Sequence, residues 1–127
     1  MLSYQWANQP FVKELKEFLE HHGLKVWIDL EQMHGSIMKR MQEAINHSKI
    51  IIFCMTKKYE HSMNCQLEFK YAFKQQKLII PLKLEKFNPQ NELDLITMGK
   101  MYYAFYAGEN VENKKVELLH AIKKMLT

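Results

Sequence analysis

The chain has 127 residues, of which 47% are hydrophobic and 25% charged, with a net charge of +4 and an isoelectric point near 9.0. This length corresponds to one domain with a core of its own, and the composition is that of a soluble globular protein. No apolar run approaches the ~20 residues of a membrane helix, and the first ten residues lack the basic and apolar regions of a signal peptide. The lysines are spread along the chain and not interleaved with aromatic residues, which argues against a nucleic-acid-binding surface.

The cysteines and histidines indicate neither a disulfide framework nor a metal site. Cys54 and Cys65 are the two cysteines, and their number and spacing match no known framework. The six histidines are scattered without a repeated ligand spacing. The sequence therefore predicts a reduced, cytoplasmic protein that binds no metal.

Short apolar runs alternate with amphipathic stretches, which is the pattern of an α/β domain with a parallel sheet. Residues 1–4 form the first predicted strand. Pro10 marks the start of a helix that Gly23 ends, because proline suits the first turn and glycine the position after the last. The apolar stripe of this helix is Phe11, Leu15, Phe18 and Leu19. Residues 24–28 form the second predicted strand.

The middle of the chain carries the most apolar strand. After the loop 29–36, Ser36 is predicted to cap a helix whose inward residues are Ile37, Met41, Ala44 and Ile45. Residues 49–55 are apolar throughout, as in a strand that is buried on both faces. A polar loop is predicted over 56–63, followed by a helix from about 64 to 75.

The last third of the chain completes an alternating fold. Residues 78–84 form a fourth strand, in which Pro81 predicts a bulge or a position near the edge of the sheet. A loop with one helical turn over 87–99 precedes a fifth strand over 101–105. The closing helix, Val111–Leu126, is predicted to turn these residues inward: Val111, Leu118, Leu119, Ile122 and Met125.

These elements predict one domain, 1–127, with a flavodoxin-like three-layer sandwich. We expect a five-stranded parallel sheet in the order 2-1-3-4-5 with helices on both faces, because crossovers between parallel strands are right-handed. Met1 falls inside the first strand, so the natural chain is expected to begin earlier or to lie within a longer protein.

A ligand site in such a fold lies beyond the carboxyl ends of the strands. The sequence has no glycine-rich dinucleotide turn, no phosphate loop and no nucleophile elbow there. The side chains expected at this edge are aromatic, hydroxyl and carboxylate groups: Tyr4, Trp6, Trp27, Asp29, Tyr59, Ser62 and Glu68. Aromatic faces stack on nucleobases, and a carboxylate can accept hydrogen bonds from a ribose or stabilise an oxocarbenium-like charge.

Several residues near this edge also have a purely structural interpretation. For Glu68 the alternative is a solvated glutamate on a helix surface, and the residues alone favour this alternative. Trp6 is equally a loop aromatic that covers the nucleotide and a core anchor, whereas the pattern favours Trp27 as a core residue. Asp29 is a candidate acceptor for backbone N–H groups in the turn. Cys65 is either a buried small residue or, near a helix start, a thiol with a lowered pKa.

Four sequence boxes in one register resemble a TIR (Toll/interleukin-1 receptor) domain. LSYQW is similar to the first box, and GLKVWID to the end of the second strand and the start of the BB loop. AINHSK precedes the third strand, and a T-x-x-Y segment leads to the helix that carries the family's catalytic glutamate. The resemblance covers nearly the whole chain and implies the flavodoxin-like fold.

The segment from Asn64 to Glu68 is similar to the W-C-x-x-E segment of NAD+-cleaving TIR domains, with asparagine in place of tryptophan. The resemblance implies that Glu68 is catalytic. The loop 29–36 lacks the proline of Toll-receptor adaptors and the C-terminal Phe-Trp box is missing, which favours the enzymatic branch. The substrate-binding residues that it implies are Ser3, Tyr4, Trp6, Trp27, Asp29, Tyr59 and Ser62.

The implied function is an NAD+ glycohydrolase in immune or cell-death signalling. It takes NAD+ as its substrate, needs no cofactor, and releases nicotinamide with ADP-ribose or a cyclic ADP-ribose. The family also implies self-association through TIR–TIR contacts that include the loop 29–36. Two alternatives remain: a non-catalytic domain that signals through homotypic contacts, and a sensor that binds a nucleotide without cleaving it.

Overall fold

The computed structural model describes residues 1–28, 37–106, 108 and 110–127, with Ile37 described by its backbone alone. Within these ranges four parallel strands form one sheet in the order β1-β2-β3-β4. Their bounds are Leu2–Tyr4 (β1), Ile50–Met55 (β2), Leu78–Lys83 (β3) and Tyr103–Ala104 (β4). The predicted loop 29–36, with Asp29 and the Ser36 cap, lies outside the described residues.

Helices alternate with these strands, which confirms the predicted α/β class. A 3-10 helix spans Trp6–Asn8. The α-helices are Gln9–His21 (α1), Ile37–Asn46 (α2), Lys57–His61 (α3), Met63–Lys74 (α4), Asn91–Thr97 (α5) and Val111–Leu126 (α6). The bounds of α6 are those predicted, although Met125, predicted to turn inward, is exposed.

The prediction of five strands in the order 2-1-3-4-5 is wrong for the described residues. Residues 24–28 run beside β1 without forming a strand, and they are joined to it by the hydrogen bond that the Leu2 N–H donates to the Trp27 carbonyl, at 3.0 Å. A ladder needs repeated bonds of this kind, whereas hydrophobic alternation alone does not provide them. The remaining four strands keep the predicted relative order.

The sheet has a hydrophobic core on each face. β2 is buried along its whole length, and its side chains alternate between the two cores because successive residues of a strand point to opposite faces. Ile50, Ile52 and Cys54 pack with α1 and α6, while Ile51, Phe53 and Met55 pack with α2, α3, α4 and α5. This confirms the prediction of helices on both faces.

Pro81 lies within β3, which has a neighbouring strand on each side. The Leu84 N–H donates to the Met55 carbonyl of β2, whereas the Lys83 carbonyl accepts from the Phe105 N–H on the other side. Backbone groups therefore alternate between the two neighbouring strands, and those of the odd-numbered residues of β3 point toward β4. The missing N–H of Pro81 therefore points toward the β4 side. β4 begins only opposite Leu82, so the proline removes no ladder bond there.

The structure adds a short helix where a loop was predicted, and it shows how Gly23 ends α1. The predicted polar loop 56–63 contains α3, whose N-cap is the Thr56 hydroxyl. Gly23 ends α1 with a φ of +88°, and the N–H groups of Gly23 and Leu24 donate to the carbonyls of Glu20 and Leu19. This is a Schellman ending, which glycine favours because it adopts positive φ without strain.

Candidate functional site

Two successive helix starts bring α3 and α4 to the carboxyl end of the sheet. The Thr56 hydroxyl follows β2 directly and accepts from the Tyr59 N–H at 3.0 Å. The Ser62 hydroxyl then accepts from the Cys65 N–H at 3.3 Å, at the start of α4. These caps satisfy N–H groups that have no partner within the helix. They also place Tyr59 and Glu68 on adjacent helices beside β1.

Ser3 of β1 joins Tyr59 and Glu68. Its Oγ lies 2.6 Å from Oε1 of Glu68 and 2.9 Å from the hydroxyl of Tyr59. Ser3 and Tyr59 are buried, whereas Glu68 is half-buried. Three of the predicted site residues therefore form one hydrogen-bonded group, although Ser3 and Glu68 are 65 positions apart in the chain.

The hydrogen bonds in this group run in one direction. Ser3 has a single hydroxyl proton, which it donates to the carboxylate of Glu68. The Tyr59 hydroxyl must then donate its own proton to Ser3 Oγ, since that oxygen has only acceptor capacity left. A chain of this kind, from Tyr59 through Ser3 to Glu68, strengthens each bond by polarising the next.

Burial keeps the Tyr59 phenol and the Cys65 thiol, which lie near Glu68, in their neutral forms. It raises the pKa of Tyr59 well above its usual value, and the nearby Cys65 and Glu68 raise it further. Burial also raises the pKa of Cys65 to about 12, against the lowering effect of its hydrogen bond with Ser62. The interpretation of Cys65 as an activated thiol is therefore wrong. Its Sγ instead donates to the Tyr4 carbonyl at 3.5 Å, which ties α4 to the end of β1.

The predicted aromatic residues occupy several different places. The Tyr4 hydroxyl accepts from Gln9 Nε2 at 3.0 Å at the start of α1. Trp6 lies in the 3-10 helix directly after β1, with 37% of its surface exposed. Trp27 is equally exposed, so it is not the core residue that the sequence favours.

Trp27 is also separated from the Ser3–Glu68 group. It lines a cavity of about 840 Å³, together with residues at the amino ends of β1 and β2, such as Leu2 and Ile50. Ser3, Tyr59 and Glu68 do not line this cavity. The structure thus groups Glu68 with Ser3 and Tyr59, places Ser62 at the N-cap of α4, six residues before Glu68, and leaves Asp29 outside the described residues.

Sequence reasoning missed the link between Ser3 and Tyr59 and the role of Thr56. The Thr56 cap had a local signal, since a threonine after a strand and before charged residues is a good helix start. The Tyr59–Ser3–Glu68 chain had none, because its members come from three separate elements.

The described residues offer no group of three or more His, Cys, Asp or Glu side chains that would hold a metal ion. In the same part of the chain, none of the helices combines the length and the apolar character needed to span a membrane.

Comparison with known proteins connects this geometry to a family. A family model described as TIR domain matches residues 1–120. The fold is similar to the crystal structure of the TIR domain of the Toll-related receptor TRR-2 from the lower metazoan Hydra magnipapillata, with a TM-score of 0.76. The two chains are 15% identical over 99% of this chain and 96% of that one. No curated protein matches the sequence.

Proposed function

This chain belongs to the TIR domain family, and on that premise we propose that it acts in signalling by associating with other TIR domains, including copies of itself. The similar fold of the Hydra domain, which comes from a Toll-related receptor, supports a signalling role. The surface of α5 and the segment after it is the observation that carries this proposal.

Four exposed apolar side chains lie within eight residues of the chain, and we call them the α5 patch: Leu95, Met98, Met101 and Tyr102. Leu95, Met98 and Met101 are 65%, 70% and 73% exposed. Leu95 lies in the last turn of α5, and Met98 is the residue that caps its carboxyl end. Single exposed apolar residues are ordinary on a monomer, but a group of them marks a protein-binding surface.

Substitution of Met98 by glutamate is expected to weaken self-association, because a charge in the middle of an apolar contact must be desolvated without a partner. Sedimentation velocity over a concentration series measures the change. Met125→Glu is the matched control, since Met125 is an exposed methionine on α6 and the charge change is the same. Wild-type protein that stays monomeric throughout, or equal loss in both variants, would contradict the proposed surface.

A second candidate function is NAD+ glycohydrolysis, and the position of Glu68 favours it. A carboxylate that accepts a 2.6 Å hydrogen bond from Ser3 at the carboxyl edge of the sheet has the chemistry that such a reaction needs. In this proposal Glu68 accepts hydrogen bonds from the nicotinamide ribose. Its negative charge stabilises the oxocarbenium-like transition state while the bond between ribose C1′ and the nicotinamide nitrogen breaks.

The remaining steps balance without a metal or a further cofactor. The bonding electrons leave with nicotinamide, which becomes neutral. Water then attacks C1′ to give ADP-ribose and a proton, or the adenine of the same molecule attacks to give a cyclic ADP-ribose. Of the substrate-binding residues that the resemblance implies, Tyr4, Trp6 and Ser62 stay proposed as substrate contacts. Ser3 and Tyr59 are buried and hydrogen-bond in series toward Glu68, Trp27 lines a cavity that Glu68 does not line, and Asp29 lies outside the described residues.

The direct experiment is nicotinamide release from NAD+ by the purified domain, followed by chromatography over a dilution series. If association and catalysis are coupled, nicotinamide released per molecule should rise with protein concentration. A specific activity that is constant on dilution would contradict the coupling. NAD+ binding without any nicotinamide would indicate the nucleotide sensor instead.

A further inference from the structure

The hydroxyls behind Glu68 suggest a division of roles within the site. We infer that Ser3 and Tyr59 are positioning residues, which hold the Glu68 carboxylate in one orientation toward its ligand. This inference rests on the proposed NAD+ chemistry for its purpose, but the hydrogen-bonded arrangement is testable without substrate.

A glutamate on a helix needs such support to act as a fixed electrostatic group. Its side chain has several rotamers, and holding it in one of them costs conformational entropy. A group that must face a developing charge is most effective when it is ordered before the reaction. Glu68 accepts a hydrogen bond from the Ser3 hydroxyl, and Ser3 lies in β1 opposite Phe53 of β2. The sheet therefore supplies the fixed point.

Tyr59 provides a second fixed point behind Ser3. Its ring centroid lies 5.9 Å from that of Phe69 and 6.3 Å from that of Phe53. Its backbone N–H is held by Thr56 at the start of α3. The tyrosine is fully buried, so its hydroxyl has a defined direction toward Ser3. β1, α3 and α4 thus all contribute to the orientation of one carboxylate.

The arrangement has a consequence for the ionisation of Glu68. Donated hydrogen bonds favour the charged form of a carboxyl group. The acidic groups that face it are Tyr59 from α3, Cys65 from α4 and Cys54 from β2, and burial raises the pKa of all three. These three groups stay neutral between pH 3 and pH 8, so they do not titrate in the range where the Glu68 carboxyl is followed. The Met1 amino group, whose pKa burial lowers to about 6, titrates in this range and interacts with Cys54, so the comparison that counts is the difference in midpoint between variant and wild type.

The test is the titration of the ¹³C-labelled Glu68 carboxyl by NMR in wild type, Ser3→Ala and Tyr59→Phe. Loss of the Ser3 hydroxyl should raise the midpoint by about one pH unit, which is the size expected for one hydrogen bond to a charged group. Tyr59→Phe should raise it less, because it removes only the polarisation of the Ser3 hydroxyl. Both substitutions keep the shape of the side chain. If Ser3→Ala does not fold, Tyr59→Phe still decides the matter.

Tyr71→Phe is the matched control, since the Tyr71 hydroxyl donates to Asn46 of α2. Its midpoint should equal that of wild type. If nicotinamide is released, kcat should fall on the order of tenfold in Ser3→Ala with little change in KM, since positioning acts on the transition state.

The possible failures are distinguishable. Midpoints that do not move in either variant would overturn the positioning role, whether or not NAD+ is cleaved. Midpoints that move as expected in a protein that releases no nicotinamide would uphold the arrangement and reject the proposed reaction.

Discussion

The Glu68→Gln variant is expected to release nicotinamide from NAD+ at least about 100-fold more slowly than wild type. Glutamine has nearly the same shape, and its amide oxygen can still accept the hydrogen bond from Ser3. It has no negative charge, so it cannot stabilise the positive charge that develops on the ribose. The loss should therefore fall on kcat, while the fold is retained.

Single-turnover and steady-state nicotinamide release at saturating NAD+ measure this effect. Glu17→Gln is the matched control, because Glu17 is an exposed glutamate on α1, and α1 packs on the face of the sheet opposite to α4, which carries Glu68. It should be as active as wild type. Equal rates in Glu68→Gln and wild type would reject Glu68 as the catalytic group, and the homotypic signalling proposal would then stand without the enzymatic one.

The Phe53→Ala variant is expected to lose about 4 kcal/mol of unfolding free energy, in the range for a large aromatic residue that is removed from a core. Phe53 is fully buried in β2, which pairs with both β1 and β3. Its ring lies within 6.3 Å of Tyr59 and 6.1 Å of Phe69. Truncation of the ring leaves a cavity. The neighbouring strands β1 and β3 cannot move to close it, because backbone hydrogen bonds to β2 hold them in place.

Urea denaturation followed by circular dichroism measures this loss as a fall in the transition midpoint. Phe73→Ala makes the same chemical change on α4, where the side chain is 54% exposed, and should cost less than about 1 kcal/mol. Similar losses in the two variants would contradict the assignment of Phe53 to the core. Because the Phe53 ring also packs against the Tyr59 ring, we expect the Phe53→Ala variant to cleave NAD+ more slowly than wild type if wild type cleaves it.

Local patterns in the sequence were sufficient for most of the elements. β2 was predictable because six consecutive apolar residues, Ile50–Met55, suit a strand that is covered on both faces. The bounds of α6 followed from its apolar spacing, and the structure adds the Asn110 side chain as the N-cap of this helix. α3 was missed because a helix of five residues has too few turns to produce a period.

Three residues of the candidate site were named from the sequence and lie together in the structure. Glu68, Tyr59 and Ser3 each stood out through the TIR resemblance, and the TIR family itself is confirmed by the match over residues 1–120. Their mutual contacts, and the separation of Trp27 from them, required the structure. The catalytic role of Glu68 stays a prediction.

The sequence by itself determined the α/β class, the helices on both faces and the relative order of the four strands, because these depend on periodicity and on the handedness of crossovers. The tertiary structure alone decided that residues 24–28 do not form a ladder with β1, that β3 pairs with β4 only from Leu82 onward, after Pro81, and that Ser3 links Tyr59 to Glu68. Those outcomes depend on hydrogen bonds between residues that are far apart in the chain. Their direction and distance leave no trace in local hydrophobic pattern.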